Sequence, residues 1–517
     1  MAKILLIYPP VILSKTERPT ITAPLGVAYV AAVCEEAGFD VKIIDCLAEG
    51  EWKSTPVDGD LLYWGLTYDE IEKRIKEERP NVVGISCQFS LQYIPSKEIV
   101  RMVKRLFPQT ITVMGGTHPT IMYKEILANE SALDYVVLSE GEYTFTELVK
   151  SLSEGRDVSH IDGLAYREDG RVVCKPKRGF IEDLDALPLP ARHLLPMDIY
   201  AKAKRGWGTT RRSPKANMIT SRGCPFKCTF CGIWINAGKG FRARSPENVI
   251  AEIEHLTKEY GIQEIHFEDD NLTLNRERAE RIFDLMIERG LDVAWAAPSG
   301  LAIWTFNDRL LEKMVRSGCY RVNLGLESGN DHVLRNVIKK PLTRRIIREK
   351  IGLVKKYGLE ITGFWVIGNP GETVEQMWDT LDFARELGLE DNQVAIALPY
   401  PGTELYETCR KKGYLAFDQK DEKAYEYFSI HSALIRTEDF SPEDVIAIRD
   451  AGRFIALVKR EGIGAIPYRT LELFRRNGLT LGFKALYEAI KKSIRLLASG
   501  LTRKPVYEEG TPKPVKN

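Results

Sequence analysis

Cys224, Cys228 and Cys231 are crowded into the stretch Ser221-Arg-Gly-Cys-Pro-Phe-Lys-Cys-Thr-Phe-Cys-Gly232. Three thiolates so spaced on one loop can ligate three irons of a cubane and leave the fourth iron open. Iron–sulfur clusters usually take four cysteines, so a set of three points to a cluster that holds something else at its free corner. A structural zinc site and ordinary buried thiols are the competing readings. Zinc wants a fourth Cys or His at ligand spacing, and none follows within the next twenty residues. An apolar run over 217–220 precedes the loop and a helix-like segment follows it. The loop therefore belongs at the C-terminal end of a strand, where barrel folds place their chemistry.

The elements that must hold this loop can be read from the alternation of short apolar runs with helical patterns. In residues 1–155, strands are expected over 4–8, 41–44, 82–86, 111–114 and 135–138. Helices are expected around 29–36, 68–78, 98–106 and 123–129. Such alternation predicts a parallel sheet with helices on both faces, a doubly wound α/β domain of flavodoxin-like or Rossmann-like order, with ligands gathering beyond the strands' C-terminal ends. Residues 156–212 read as a linker carrying a small hairpin, 163–166 and 172–174, followed by the irregular basic run 202–212. From 213 to 405 the alternation resumes, with strands near 217–220, 263–267, 293–296, 320–324, 361–367 and 393–397. That is six units, fewer than a closed eight-fold barrel needs. Residues 406–517 form a helical region with amphipathic stretches over 441–459 and 482–497, and a Pro/Lys-rich tail from 503 that is expected to be disordered.

Composition excludes several classes. Lys and Arg number 73 against 72 Asp and Glu, a net charge of +1, so no global field favours nucleic acid. Nine cysteines, odd in number and irregularly spaced, do not read as a disulfide framework and fit a reducing cytoplasm. The N-terminal Lys3-Ile-Leu-Leu-Ile-Tyr-Pro-Pro10 reads as a first buried strand, since its apolar run is short, proline interrupts it and no small-residue cleavage site follows. No stretch approaches the roughly 18 apolar residues of a membrane span. The stretch 483–497 has apolar residues at helical spacing with several lysines. It suits either packing on the barrel or peripheral contact with a membrane.

The CxxxCxxC loop with Phe230 before its third cysteine resembles the signature of the radical S-adenosylmethionine (SAM) enzymes. The resemblance implies a partial (β/α)6 barrel and a [4Fe–4S] cluster on Cys224, Cys228 and Cys231. SAM would chelate the open iron and be cleaved to a 5'-deoxyadenosyl radical by an electron from an external low-potential donor. It further implies SAM contacts from Phe230, from Glu268, Asp269 and Asp270 in His266-Phe-Glu-Asp-Asp-Asn271, from Glu327 and Ser328 in Gly325-Leu-Glu-Ser-Gly329, and from Ile367 and Gly368 in Gly363-Phe-Trp-Val-Ile-Gly-Asn-Pro-Gly-Glu372. Glu372 has a plainer reading as a helix-start residue, because Thr373-Val-Glu-Gln376 is itself a capping box. Trp365 and Tyr400 are expected to face the barrel opening.

The first domain resembles the N-terminal domain of cobalamin-dependent radical SAM enzymes. The motifs are Pro24-Leu-Gly-Val-Ala-Tyr29, Gly84-Ile-Ser-Cys-Gln88, Gly115-Gly-Thr-His-Pro-Thr120 and Ser139-Glu-Gly-Glu142. The implied cobalamin contacts are Tyr8, Pro9, Pro10, Leu25, Gly26, Ser86, Cys87, Gln88, Gly115, Gly116, Thr117, His118, Glu140, Gly141 and Glu142. The histidine-bearing D-x-H-x-x-G motif of other cobalamin domains is absent from the chain, so His118 is expected to be a loop residue and not a cobalt ligand. Together the two resemblances imply a C-methyltransferase that places a methyl group from methylcobalamin on an unactivated carbon of a small-molecule or lipid substrate. A cyclase, oxidase or rearrangement enzyme with the same cofactors is the alternative. A methylthiotransferase fits less well, because Cys34, Cys46 and Cys87 are present but none lies on the loop after the first strand, and no nucleic-acid partner is expected.

Overall fold

The computed structural model describes residues 2–57, 59–203, 210–419 and 421–498. Part of the basic run predicted over 202–212, and the tail from 503, lie outside the described residues.

The first sheet is built on Lys3–Tyr8, Asp40–Asp45, Val82–Ser86, Ile111–Gly115 and Tyr135–Val137. These five strands are parallel and lie in the order second, first, third, fourth, fifth, which is the flavodoxin-like arrangement. Ile4 through Ile7 are buried without alternation, as a strand covered by helices on both faces requires. The hairpin assigned to the linker, Leu164–Glu168 and Arg171–Lys175, is part of this sheet. Leu164–Glu168 pairs antiparallel to Tyr135–Val137 and extends the sheet by two strands. Its turn residues Asp169 (φ 48°) and Gly170 (φ 74°) are both left-handed, the backbone of a type I′ turn. A three-stranded antiparallel patch, Val11–Ser14, Ser54–Pro56 and Leu61–Trp64, has no counterpart in the sequence reading. Its strands are too short for a period of two to register.

The second sheet runs Lys215–Met218, Glu264–Phe267, Ala294–Leu301, Cys319–Glu327, Glu360–Ile367 and Asp391–Ile396. All six strands are parallel and adjacent in chain order. The first and last do not pair, so this is an open six-stranded barrel. Its helices start where the sequence supplies caps. Ser245 accepts from the Asn248 amide with Pro246 in the first turn, Asn275 accepts from Arg278, and Thr373 forms a capping box with Gln376.

The core lies between strands and helices, with Phe267, Phe283, Trp295 and Trp365 fully buried. Trp365 points to this helical side, 6.1 Å from the Phe383 ring, and its indole nitrogen donates to Asn392 Oδ1 at 2.8 Å. The expectation that Trp365 faces the barrel opening is therefore corrected. Strand alternation turns Phe364 and Val366 to the opposite face. Tyr400 is corrected as well, since it packs beside Phe428 against the core of the first sheet.

The C-terminal region is helical. The segment Glu422–Tyr427 lays Tyr425 and Phe428 on the first sheet. Pro442–Glu461 packs against Ile466–Ala498, a helix broken at Gly478 (φ 69°). Among the described residues no helix is long and apolar enough to cross a membrane.

Candidate active site at the junction of sheet and barrel

The cysteine loop leaves the first barrel strand through Ser221–Arg222, which pairs antiparallel with Arg242–Ala243 as a two-stranded clamp. Gly223 follows at φ 84°, and a Cβ there would stand 2.3 Å from the Gly240 carbonyl, so only glycine lets the clamp close. The Gly223 amide donates to Asp270 Oδ2 at 2.8 Å. The Thr229 amide and hydroxyl donate to the carbonyls of Ile338 and Val337, both at 3.0 Å, tying the loop to the segment after the fourth barrel strand.

Burial pushes the Cys228 thiol up to about 12 and the Cys231 thiol up to about 11, and Cys224 moves the same way. Thiols held that high become ligands when metal displaces their protons. Among the described residues no three Cys, His, Asp or Glu converge on a point suited to one ion.

Beside Cys228 and Cys231 lies a cation that the sequence reading missed. Lys340 Nζ pairs with Glu327 Oε1 at 2.6 Å and stands 5.9 Å from the Trp304 ring. Burial alone would lower the Lys340 pKa, but Glu327 and the two thiols reverse the shift and hold it charged. A Cβ on Gly325 would come within 2.7 Å of both partners, so the glycine leaves room for the pair. Glu327 itself has φ 63°, a left-handed conformation that a glutamate holds only under constraint.

The three consecutive acids of the second strand end go three ways. Both oxygens of Asp269 are occupied, Oδ1 by the Thr220 amide and Oδ2 by the Thr220 and Ser221 hydroxyls. Asp270 holds the cysteine loop, and burial raises it to about 6. Glu268 turns toward the first sheet, accepts from Asn217 Nδ2 at 3.0 Å, and is raised by burial to about 7. Ser328 faces the helix Val374–Leu387, with its hydroxyl 3.0 Å from Thr380 Oγ1. Ser328 therefore has a partner away from the cysteine loop, whereas Asp269 braces the strand end where that loop begins. Phe230 packs in the same apolar cluster as Ile367. Gly368 follows, with its amide donating to the buried Glu372 at 2.8 Å.

Between the first sheet and the barrel lies a cavity of about 300 Å³. Gly26, Ser86, Gln88, Gly115, Gly116, Glu140, Gly141 and Glu142 line it on one side. Ser221, Arg222, Asn236, Glu268 and Asp270 line it on the other. It reaches into the sheet at Gly84, where a Cβ would stand 2.7 Å from Leu6 and 3.1 Å from Phe145, whereas a Cβ on Gly26 would meet nothing within 4 Å. Glu142 Oε2 and Asn236 Oδ1 are buried without a partner. A cavity with apolar depth and orphaned acceptors at its rim fits a ligand such as cobalamin, whose periphery carries amide donors.

Arg222 bridges the two sides, donating to Glu140 Oε1 at 3.0 Å and to Glu142 Oε1 at 2.7 Å, and Arg242 joins Glu140 at 2.8 Å. Burial opposes the Arg222 charge, but the two glutamates more than offset it.

The remaining cobalamin candidates lie outside the cavity wall. Cys87 is in the core of the first sheet. Leu25 packs on Leu184 and Leu187. Tyr8 ends the first strand, Pro9 and Pro10 lead from it to the strand Val11–Ser14, and Thr117 opens a helix. His118 is 3% exposed, with Nδ1 3.0 Å from Ser90 Oγ and its ring 4.8 Å from Tyr93 and 4.9 Å from Tyr425. It is packed away from the cavity.

Sequence and structure comparisons agree with this geometry. A family model described as B12 binding domain matches residues 14–149, and one described as Radical SAM superfamily matches 218–384. Cytidylyl-2-hydroxyethylphosphonate methyltransferase of Streptomyces wedmorensis is 36% identical, over 80% of this chain and 82% of its own length. An uncharacterized methyltransferase of Pyrococcus horikoshii is 39% identical, over 78% of this chain and 82% of its own. In fold, the chain is similar to TsrM of Kitasatospora setae, a radical SAM methyltransferase solved with cobalamin and a [4Fe–4S] cluster. The TM-score is 0.64 at 19% identity, covering 81% of this chain and 80% of that one.

Proposed function

The chain belongs to the cobalamin-dependent radical SAM methyltransferases, and on that premise we propose that it methylates an unactivated carbon of a small-molecule substrate admitted at the junction of sheet and barrel. The observation that carries this reading is the shared cavity. Its wall runs from Gly26 and Gly116 of the first sheet to Arg222 and Asp270, which hold the cysteine loop. A site divided in this way suits a reaction that brings two reactive groups to one substrate carbon.

When bound, the cluster and SAM supply one-electron hydrogen abstraction, and cobalamin supplies a transferable methyl group. Cys224, Cys228 and Cys231 would hold the cluster. Asp270 and the Thr229 contacts fix their loop. Lys340 and Glu327 present a cation and a carboxylate beside the thiols, suited to the carboxylate and the hydroxyl or ammonium groups of SAM. Phe230, Ile367 and Gly368 form an apolar shelf for its flat base. Glu142 and Asn236 would accept from cobalamin amides, and Gly26 and Gly84 leave space that its nucleotide tail would fill. Six further cysteines are scattered through the chain without ligand spacing, so we place the electron source outside the chain, on a low-potential donor.

The test is anaerobic reconstitution with cluster and cobalamin, removal of free cofactor, and turnover with SAM and candidate acceptors. Methyl transfer predicts S-adenosylhomocysteine and 5'-deoxyadenosine released in equal amounts with methylated product. 5'-Deoxyadenosine without S-adenosylhomocysteine, accompanied by an unmethylated rearranged or oxidised product, would replace the reading with the alternative radical chemistry.

A further inference from the structure

The C-terminal helices are assembled inside out. From Gly478 onward, Ala485 packs on Ala447 of the neighbouring helix Pro442–Glu461, with Leu486 beside it, and Ala489 packs in the cluster of Val445 and Ile448. Gly482 is buried under the Phe474 ring of the preceding segment, and Ala485 and Ala489 are buried too. The large apolar residues of the same helix lie on its outer face. Leu479, Phe483, Tyr487, Ile490 and Ile494 are 51–71% exposed and follow one another at intervals of three and four, which makes one unbroken stripe. Before the break at Gly478, Ile463, Ile466, Tyr468 and Leu471 are exposed too. Nine of the seventeen exposed large hydrophobics among the described residues thus fall within 463–494. Scattered surface apolar residues are ordinary, whereas a contiguous set marks a surface that meets something.

Charge indicates what it meets. Between 453 and 494 the chain has nine Lys and Arg against three Asp and Glu, a local excess of +6 in a protein whose total is +1. Arg453, Lys459, Arg460 and Arg475 are exposed. Lys484 and Lys491 flank the stripe, the first paired with Asp444 at 2.9 Å and the second with Glu488 at 3.5 Å. Large apolar side chains including Tyr468 and Tyr487, bordered by cations, match the headgroup boundary of an anionic bilayer. The rest of the molecule carries the compensating negative charge, which would orient the docking.

We propose that residues 463–494 form a peripheral docking surface for anionic membranes. The helices lie along the headgroups while the sheet–barrel junction stays in water. This surface is independent of the methyl-transfer reading and of whether the substrate is itself a lipid.

The test is co-sedimentation of the full reconstituted protein with vesicles of phosphatidylglycerol or of phosphatidylcholine. Binding to phosphatidylglycerol that weakens with salt, with little binding to phosphatidylcholine, is the expected result. The double variant F483E/Y487E should bind roughly tenfold or more weakly. It should keep its Tm and cluster absorbance, because both side chains are more than half exposed. No binding of the parent to phosphatidylglycerol would overturn the proposal. Parent protein that dimerises without vesicle binding, and becomes monomeric in the double variant, would instead assign the face to a second copy.

Discussion

Lys340 Nζ lies 2.6 Å from Glu327 Oε1, with the side chains only 13% and 9% exposed, next to the cysteine loop. Lys340→Met leaves the Glu327 carboxylate buried without this cation. A lost charge-assisted hydrogen bond is worth about 1.5–3 kcal/mol, which predicts SAM binding weaker by about 10- to 100-fold with the cluster still assembled. Equilibrium binding of SAM, read from its perturbation of the cluster's electron paramagnetic resonance signal, checks this. Unchanged affinity would remove Lys340 from the SAM site.

Gly26 offers a cleaner probe of the cavity. It sits in the first turn of the helix Leu25–Glu36, lines the cavity, and a Cβ there touches nothing. Gly26→Leu should leave the cobalamin-free protein as stable or slightly more so, since glycine costs a helix about 1 kcal/mol relative to good helix formers. Cobalamin retained after gel filtration should fall sharply, while iron content stays constant. Normal retention would place the cofactor elsewhere.

The bridge from Arg222 to Glu140 and Glu142 is buried at both ends. Removing one member of such a network costs about 3–5 kcal/mol, because the remaining charges are left uncompensated. Arg222→Met should therefore lower Tm and loosen cobalamin retention together. A variant that loses cobalamin without losing stability would make Arg222 a direct ligand and not a bridge.

The loop cysteines and most strands of both sheets could be read from the chain, because ligand spacing and buried apolar runs are local signals. The fates of Glu268, Asp269 and Asp270 could not. Three adjacent acids at a strand end look alike in sequence, yet Glu268 accepts from Asn217, Asp269 is taken up by Thr220 and Ser221, and Asp270 holds Gly223. Lys340 was hidden by its neighbour. Lys339-Lys340 reads as a solvated pair, and only the fold shows that Lys339 stays half exposed while Lys340 turns inward onto Glu327. Trp365 was misplaced by the phase of one strand, a matter of a single residue in a period of two.

Glu268 should make stability depend on pH. Burial holds it at about 7 in the folded chain against 4.5 when free. Between those values the folded state binds the extra proton, so stability falls as pH rises from 4.5 to 7 and is flat beyond. Glu268→Gln abolishes that slope and should gain Tm over the parent at pH 8 but not at pH 4.5. Parallel curves would contradict the assignment.

His118 works in the opposite direction. It is held neutral by burial, down to about 3 against 6.5 when free, and its Nε2 has no partner. The unfolded chain binds the proton first, so stability falls as pH drops from 6.5 toward 3. His118→Phe, seated between Tyr93 and Tyr425, should shift the acid unfolding midpoint to lower pH and cost about 1 kcal/mol at neutral pH through loss of the Ser90 bond. An unmoved acid midpoint would show that other groups set acid sensitivity.

The cavity wall is divided between the two sheets, with Gly84 and Gly116 on one side and Ser221, Arg222 and Asp270 on the other. Neither side encloses a ligand unaided. Recombination that exchanged one half for that of a distant relative would pair unmatched walls and break the Arg222 bridge. The two segments match separate family models, yet the cavity wall is complete only where both meet.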